Sequence, residues 1–212
     1  MSASRTLPRP GARPGMLLAA AAVALAGCAA PQPTPEPTPQ PAPEPAASVL
    51  EQHQLTGLDA RQVIDRLDAT PVVERPDDLL ASVQPDQLVL TDPTEAGAGA
   101  GAGAETLPMP DDEFYLSVAP YRAFTHDCFF HSLTTCLGEL GREPVQVTVT
   151  DDATGRTVLD ERRTTFDNGF VGLWLPRDLT GTLTIEHDGR AASSPISTGG
   201  DDLTCLTTME LA

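Results

Sequence analysis

The chain has 212 residues, with 13 basic and 30 acidic side chains and a formal net charge of -17. This acidity excludes nucleic acid as a target, because a phosphate-binding surface needs clustered positive charge. The sequence contains no lysine, which also excludes Schiff-base chemistry on a lysine amine.

The N-terminus has the features of an export signal. Three arginines precede the apolar run Met16–Ala26, which is too short to remain as a membrane-spanning helix. The residues Leu25-Ala-Gly-Cys28 resemble a lipoprotein signal-peptidase site, so residues 1–27 are predicted to be a lipoprotein signal peptide and Cys28 to be lipidated. We therefore expect a protein anchored by lipid on the extracytoplasmic face of the cell membrane, on the periplasmic or cell-wall side. The alternative is an ordinary cysteine behind a secretory signal.

The next segments alternate between spacers and a small helical region. Residues 28–47 are rich in proline, which is typical of a semi-rigid extended tether. Residues 48–95 show helical spacing of apolar side chains, with Asp59 placed to cap a helix at 60–67. This region is too small and too poor in aromatic residues to bury much surface by itself. Residues 96–110 contain a Gly-Ala repeat and are predicted to be a flexible linker.

Within the helical region the sequence predicts two further elements. Residues 77–83 could form a second short helix, and residues 87–91 a short strand. His53 is expected to be a surface residue.

Residues 111–212 have the pattern of a β-rich domain. Short alternating runs bounded by turn residues predict seven strands, at 114–118, 145–150, 157–160, 170–175, 182–187, 191–196 and 203–209. The turns at 151–155 and 187–190 contain hairpin signals, and the second includes an Asp-Gly pair. The fold class predicted is α+β, a small N-terminal helical region followed by an antiparallel β-sandwich-like C-terminal domain. Trp174 is expected in its core, and His187 at a turn.

Three cysteines remain once Cys28 is assigned to the lipid anchor. An odd number outside the cytoplasm leaves one thiol for metal or redox chemistry after any disulfide has formed. Cys128 and Cys136 lie in the stretch His126-Asp-Cys-Phe-Phe-His-Ser-Leu-Thr-Thr-Cys-Leu-Gly-Glu-Leu, in which His126 and His131 flank Cys128. One continuous helix would hold the two sulfurs about 12 Å apart along its axis, so a shared metal requires the chain to fold back between them. Cys205 follows about 70 residues later.

This stretch, with a lone cysteine before Leu-Thr-Thr near the C-terminus, resembles the CueP family of extracytoplasmic copper-binding proteins. The resemblance covers about residues 48–212. It implies a copper-resistance protein in which Cys128, Cys136 and Cys205 serve copper binding and thiol redox chemistry. Soft thiolates favour Cu(I), while an imidazole from His126 or His131 could support Cu(I) or Cu(II).

Three functions remain open from the sequence. The first is a protein that sequesters copper or hands it on, without enzymatic activity, for copper resistance and homeostasis. The second is a thiol redox protein that reduces Cu(II) to Cu(I), and the third is a disulfide-stapled structural domain. The partners expected are copper ions, the membrane, and a copper-accepting protein or a thiol-disulfide oxidoreductase, with homodimerisation left open.

The disulfide expected is Cys136–Cys205, with Cys128 free. On the loop-entropy model the longer of the two loops that Cys136 can close constrains the unfolded chain more, by roughly 1.5 to 2 kcal/mol. Cys128, beside two histidines, is expected to remain the reactive thiolate.

Overall fold

The structure is a computed structural model that describes residues 47–94 and 103–212. Two helices come first, α1 (Val49–Gln52) and α2 (Ala60–Asp68), and a short 3-10 helix follows at Val72–Glu74. The described residues then form the strands β1 (Leu80–Val83), β2 (Gln87–Thr91), β3 (Glu105–Pro108), β4 (Glu113–Tyr121), β5 (His131–Ser132), β6 (Pro144–Asp151), β7 (Thr157–Thr164), β8 (Val171–Pro176), β9 (Thr180–His187), β10 (Arg190–Ser197) and β11 (Cys205–Glu210). The predicted signal peptide, Cys28, most of the tether and most of the Gly-Ala repeat lie outside the described residues.

Helix α2 begins where its sequence predicts. The Asp59 carboxylate accepts a hydrogen bond from the Gln62 amide, while the Gln62 side chain accepts one from the Asp59 amide. This capping box satisfies two backbone donors that the first helical turn would leave unpaired. Val63, Ile64 and Leu67 are buried on one face of the helix, which orients α2 towards the sheets.

The helix predicted at 77–83 is wrong, because Leu80–Val83 forms strand β1. Ala81 and Val83 are fully buried while Ser82 is half-buried, so the side chains alternate between two faces. β1 pairs antiparallel with both β2 and β5. Pairing on two sides outweighs the weak helical propensity of so short a segment.

The strands form three sheets, in the orders β3-β2-β1-β5, β10-β9-β6-β7 and β11-β4-β8. All seven strands predicted beyond residue 111 are confirmed, and so is the short strand at 87–91. The α+β class with a β-sandwich-like domain is confirmed as well. Almost every strand pair is antiparallel, but β11 runs parallel to β4. That parallel pairing brings the C-terminal segment beside the centre of the molecule.

Strand β4 is the central strand, because both of its faces are buried. Phe114, Leu116 and Val118 point into the core shared with β6, β8 and β9. Tyr115 points the other way and packs with side chains of α2, β1 and β2, together with the half-buried Trp174. A third, small cluster contains Ala119, Phe170 and three cysteines. No helix among the described residues is long and apolar enough to cross a membrane.

Candidate metal centre

Four side chains converge near the end of β4. One ligand atom from each of His126, Cys128, Cys136 and Cys205 lies within 4.8 Å of the other three. Three sulfurs and one imidazole nitrogen are soft or intermediate donors, the kind that suits copper or zinc.

Main-chain hydrogen bonds bring Cys128 and Cys205 together across 77 residues. The amides of Thr204 and Cys205 both donate to the carbonyl oxygen of Phe129, at 2.9 and 3.1 Å. The start of β11 is therefore fixed against the residue that follows Cys128. The Cα atoms of the two cysteines are 5.6 Å apart, a normal separation for a disulfide.

The disulfide joins Cys128 to Cys205 and leaves Cys136 as a free thiol. The structure thus contradicts the Cys136–Cys205 pairing expected from loop length. Loop entropy could not show whether Cys128 or Cys136 pairs with Cys205, since the two disulfides would close loops of nearly the same length. The hydrogen bonds to Phe129 decide the pairing, because they align Cys128 rather than Cys136 with the start of β11.

Cys136 sits in a tight turn that folds back towards Cys128. Its amide donates to the Ser132 carbonyl at 3.1 Å, and the Ser132 amide donates to the Cys136 sulfur at 3.4 Å. The turn brings the sulfur of Cys136 to 3.6 Å from that of Cys128. The chain therefore reverses between the two cysteines, as shared ligation of one metal requires.

Two glycines allow this turn to approach the neighbouring loop. The amide of Gly138 donates to the Asn168 carbonyl at 2.6 Å. A Cβ atom on Gly169 would lie 2.6 Å from the carbonyl carbon of Gly138, and Gly169 has a φ of +81°. Only glycine fits such a contact and such a backbone angle. The close approach places Phe170 against the sulfur cluster.

His131 is fully buried beside the cluster, but it is not one of the four converging ligands. Its Nδ1 lies 3.7 Å from the Cys205 sulfur, and its Nε2 lies 3.3 Å from the Asp68 carboxylate. Its ring also packs on Phe170, with 4.7 Å between the ring centroids. Both ring nitrogens of His131 are thus already engaged.

Asp68 is the centre of a buried polar network. Its carboxylate accepts hydrogen bonds from the Tyr115 hydroxyl and, at 3.0 Å, from the Asn168 side-chain amide. Burial raises the pKa of Asp68, but its hydrogen bond with His131, the histidine charge and the other two donors lower it more, to below its usual range. Asp68 is therefore held as a carboxylate.

The pKa of His131 moves the opposite way. Burial alone lowers the pKa of the imidazole, but hydrogen bonds to Asp68 and Cys136 and the charges of both groups raise it to about 9. The imidazole is therefore charged at neutral pH, and a charged imidazole has no lone pair to offer a metal.

The Cys136 thiol is activated by the same neighbours. Burial raises its pKa, but the hydrogen bond and charge of His131, the Ser132 amide and the charge of Arg75 lower it below its ordinary value. Arg75 also donates through Nη1 to the Cys136 carbonyl oxygen at 2.9 Å. Cys136, rather than the predicted Cys128, is thus the reactive thiol of the oxidised chain.

His126 differs from His131 in having an unengaged nitrogen. Its Nε2 is buried and has no hydrogen-bond partner. A buried nitrogen without a partner costs about 1 to 3 kcal/mol. The other two histidines lie outside the cluster: His53 is 3.7 Å from Asp78, and His187 hydrogen-bonds the Pro144 carbonyl at 2.8 Å.

An apolar rim of exposed side chains borders the cluster. Phe129 and Phe130 follow Cys128 directly and are 53% and 40% exposed, and Leu137 follows Cys136 and is 52% exposed. Cys128 itself is half-buried. The cluster therefore lies near the surface, and its cysteines are followed in the sequence by exposed apolar side chains.

Asp68, Arg75, Tyr115 and Asn168 were not recognised from the sequence. One signal for Asp68 was present, because it lies four residues after Ile64 and thus on the apolar face of α2. A carboxylate at such a position indicates a buried partner. Nothing comparable marks Arg75, whose role depends on how the chain returns beside Cys136.

Comparison with known proteins gives matches to a family model and to solved structures. A family model described as "Periplasmic copper-binding protein CueP" matches residues 62–210. A solved structure titled "Crystal Structure of S.CueP" is 40% identical to this chain, covers 80% of it and 100% of its own chain, and superimposes with a TM-score of 0.70. No curated protein matches the chain.

Proposed function

The chain belongs to the CueP family of periplasmic copper-binding proteins, and from this membership we propose that it holds Cu(I) on the three thiolates of Cys128, Cys136 and Cys205. The observation that carries the proposal is the convergence of these sulfurs with His126 within 4.8 Å. Two thiolates on one copper ion lie at most about 4.6 Å apart, on the metal–sulfur bond lengths usual in proteins. Small side-chain movements after reduction would therefore suffice to close the site.

His126 is the better fourth ligand. Its buried Nε2 has no other partner. His131, by contrast, is held by Asp68, and its raised pKa keeps both ring nitrogens protonated at neutral pH. In this proposal His131 supports the sulfurs as a charged neighbour, and His126 completes the donor set.

Binding on three thiolates requires prior reduction of the Cys128–Cys205 disulfide. An external dithiol supplies two electrons and two protons to this bond and is itself oxidised to a disulfide. The half-buried Cys128 is the accessible sulfur, since Cys205 is only 1% exposed. The exposed Phe129 and Phe130 give such a reductase, or a protein that accepts the copper, an apolar surface to contact.

A second candidate function is reduction of Cu(II). The observed disulfide beside a free thiol favours it. In this reaction the thiolates of Cys128 and Cys205 are oxidised to the disulfide, and their two electrons reduce two Cu(II) ions to Cu(I). Reduced protein mixed with Cu(II) under anaerobic conditions would then release Cu(I) in step with disulfide formation. Disulfide formation without Cu(I) would rule this reaction out.

The proposed location is the extracytoplasmic face of the membrane, held by a lipid on Cys28. The support is the sequence around Cys28, which ends an apolar export signal. Wild-type protein is expected in the membrane fraction, and Cys28→Ser is expected to be released or left unprocessed. A serine variant that fractionates like wild type would refute the lipid anchor.

Metal analysis tests the copper site. Tag-free protein isolated from copper-loaded cells should carry one copper per chain, and Cys128→Ser, Cys136→Ser and Cys205→Ser should each lose most of it. Each change removes one of the few soft donors, and no other cysteine lies in the described part of the chain to replace it.

Histidine variants distinguish the fourth ligand. His126→Gln should weaken Cu(I) binding in a competition titration, while the control His53→Gln should not, because His53 lies against Asp78 outside the cluster. For the cysteines, full copper loading of the Cys128→Ser, Cys136→Ser and Cys205→Ser variants would refute the proposed three-thiolate site.

A further inference from the structure

Arg75 is the one guanidinium that reaches the sulfur cluster in the described part of the chain. It follows the 3-10 helix Val72–Glu74, whose first amide donates to Asp167 at 2.7 Å. This bond fixes the 3-10 helix to the loop that also carries Asn168 and Phe170. From there Arg75 Nη1 donates to the Cys136 carbonyl oxygen at 2.9 Å.

The rest of this guanidinium is buried without a partner. Its Nε and Nη2 atoms are inaccessible and make no hydrogen bond. These two N–H groups form one edge of the guanidinium, the edge that pairs with anions side by side. A charged group with unpaired buried donors is costly, so its retention requires a compensating negative charge nearby.

The charges around Arg75 come from three groups. Asp68, Cys136 and Asp167 each interact with it electrostatically. Asp68 already has His131 as its counter-ion, and Asp167 has Arg142, with 2.8 Å between their charged atoms. The Cys136 sulfur has to share the charge of His131 with Asp68, and Arg75 is the other cation that acts on it.

We propose that Arg75 is a positioning and specificity-determining residue of the copper site, which fixes the Cys136 turn and favours a monovalent over a divalent metal ion. This inference rests on the proposed three-thiolate site. Three thiolates leave one more uncompensated negative charge around Cu(I) than around Zn(II). A fixed positive charge therefore stabilises the Cu(I) complex more than the Zn(II) complex.

The test compares Cu(I) and Zn(II) affinities of the reduced full chain in competition titrations with chromophoric chelators. Arg75→Met keeps the length of the side chain but removes its charge, and it should lower the ratio of Cu(I) to Zn(II) affinity by about tenfold. Arg75→Lys keeps a positive charge but lacks the planar set of guanidinium donors. Its ratio of Cu(I) to Zn(II) affinity should stay within about threefold of wild type.

Arg177→Met is the matched control. Arg177 also holds main-chain carbonyls, those of Pro110 and Pro85 at 3.0 and 2.7 Å, but it does not touch the sulfur cluster. Its loss should change stability without changing the affinity ratio. Thermal melting of each variant identifies any that fails to fold.

The outcomes separate this inference from the proposed function. A wild-type chain that fails to bind Cu(I) would refute the proposed function itself. Wild-type binding with an unchanged ratio in Arg75→Met would refute only the role of Arg75. Equal losses for both metals in the Met and Lys variants would show Arg75 to be a structural support without influence on specificity.

Discussion

Asp68 and His131 are the pair of residues on which the interior of the site depends. Both side chains are fully buried and 3.3 Å apart. A buried ion pair adds little net stability, but removing one partner leaves an uncompensated charge and costs about 3 to 5 kcal/mol. Asp68 also accepts from Tyr115 and Asn168, so its replacement disturbs three donors at once.

This pair predicts a definite pH dependence of stability. The pKa of His131 is raised to about 9 in the folded chain, above the usual value of about 6.5. Its contribution is therefore complete below about pH 6.5 and is lost as the pH rises towards 9. The pKa of Asp68 is lowered by folding, so its contribution is present above its unfolded value and is lost only in acid.

The measurement is urea unfolding at pH 6 and pH 9 of two chains, Cys136→Ser alone and Cys136→Ser with Asp68→Asn. Both chains carry Cys136→Ser because the Cys136 thiol also faces His131, and the change removes the titration of that thiol. The Asp68→Asn chain should be less stable by about 3 kcal/mol at pH 6, and the gap should narrow at pH 9. An equal difference in unfolding free energy at both pH values would mean that Asp68 does not stabilise the protonated form of His131. Asp65→Asn, at an exposed position of the same helix, serves as control.

Among the secondary-structure elements, the strands of the sandwich were predictable and β1 was not. In β6 the residues Val145, Val147 and Val149 are buried and alternate with half-buried residues, and such alternation is visible in the sequence. β1 has only four residues and β5 only two. Their conformation depends on pairing with each other and with β2, which no local pattern reveals.

The site was predictable in its residue types but not in its pairing. The three cysteines and His126 could be named because soft donors are rare in the sequence, and because His126, Cys128 and Cys136 lie within one stretch. Their bonding depends on the hydrogen bonds between Phe129 and the start of β11, contacts between segments far apart in sequence. The turn at Cys136 likewise depends on the contact between Gly138 and Gly169.

Across the whole molecule, the helical region and the β-rich region share the site. β1 pairs with β5, so the strand that carries His131 is completed by a segment from before residue 95. Two residues of the N-terminal segment also contact the site. Asp68, at the end of α2, contacts His131, and Arg75 donates to the Cys136 carbonyl oxygen. The described residues belong to one compact unit, and the proposed copper site lies where its N-terminal and C-terminal segments meet.

A fragment comparison tests this dependence. In residues 111–212 alone, Tyr115 and Leu133 would lose the apolar side chains of α2, β1 and β2 that cover them, and His131 would lose Asp68. Burial of a large apolar side chain contributes about 1.5 to 3 kcal/mol, so exposing Tyr115 and Leu133 would cost about 3 to 6 kcal/mol. That loss is comparable with the lower end of the stability of a typical domain. Residues 47–212 should melt in one cooperative transition followed by circular dichroism, whereas residues 111–212 should lack such a transition and bind Cu(I) at least tenfold more weakly. A shorter fragment that melts within a few degrees of the longer one, with full copper affinity, would show that the site needs nothing from the N-terminal segment.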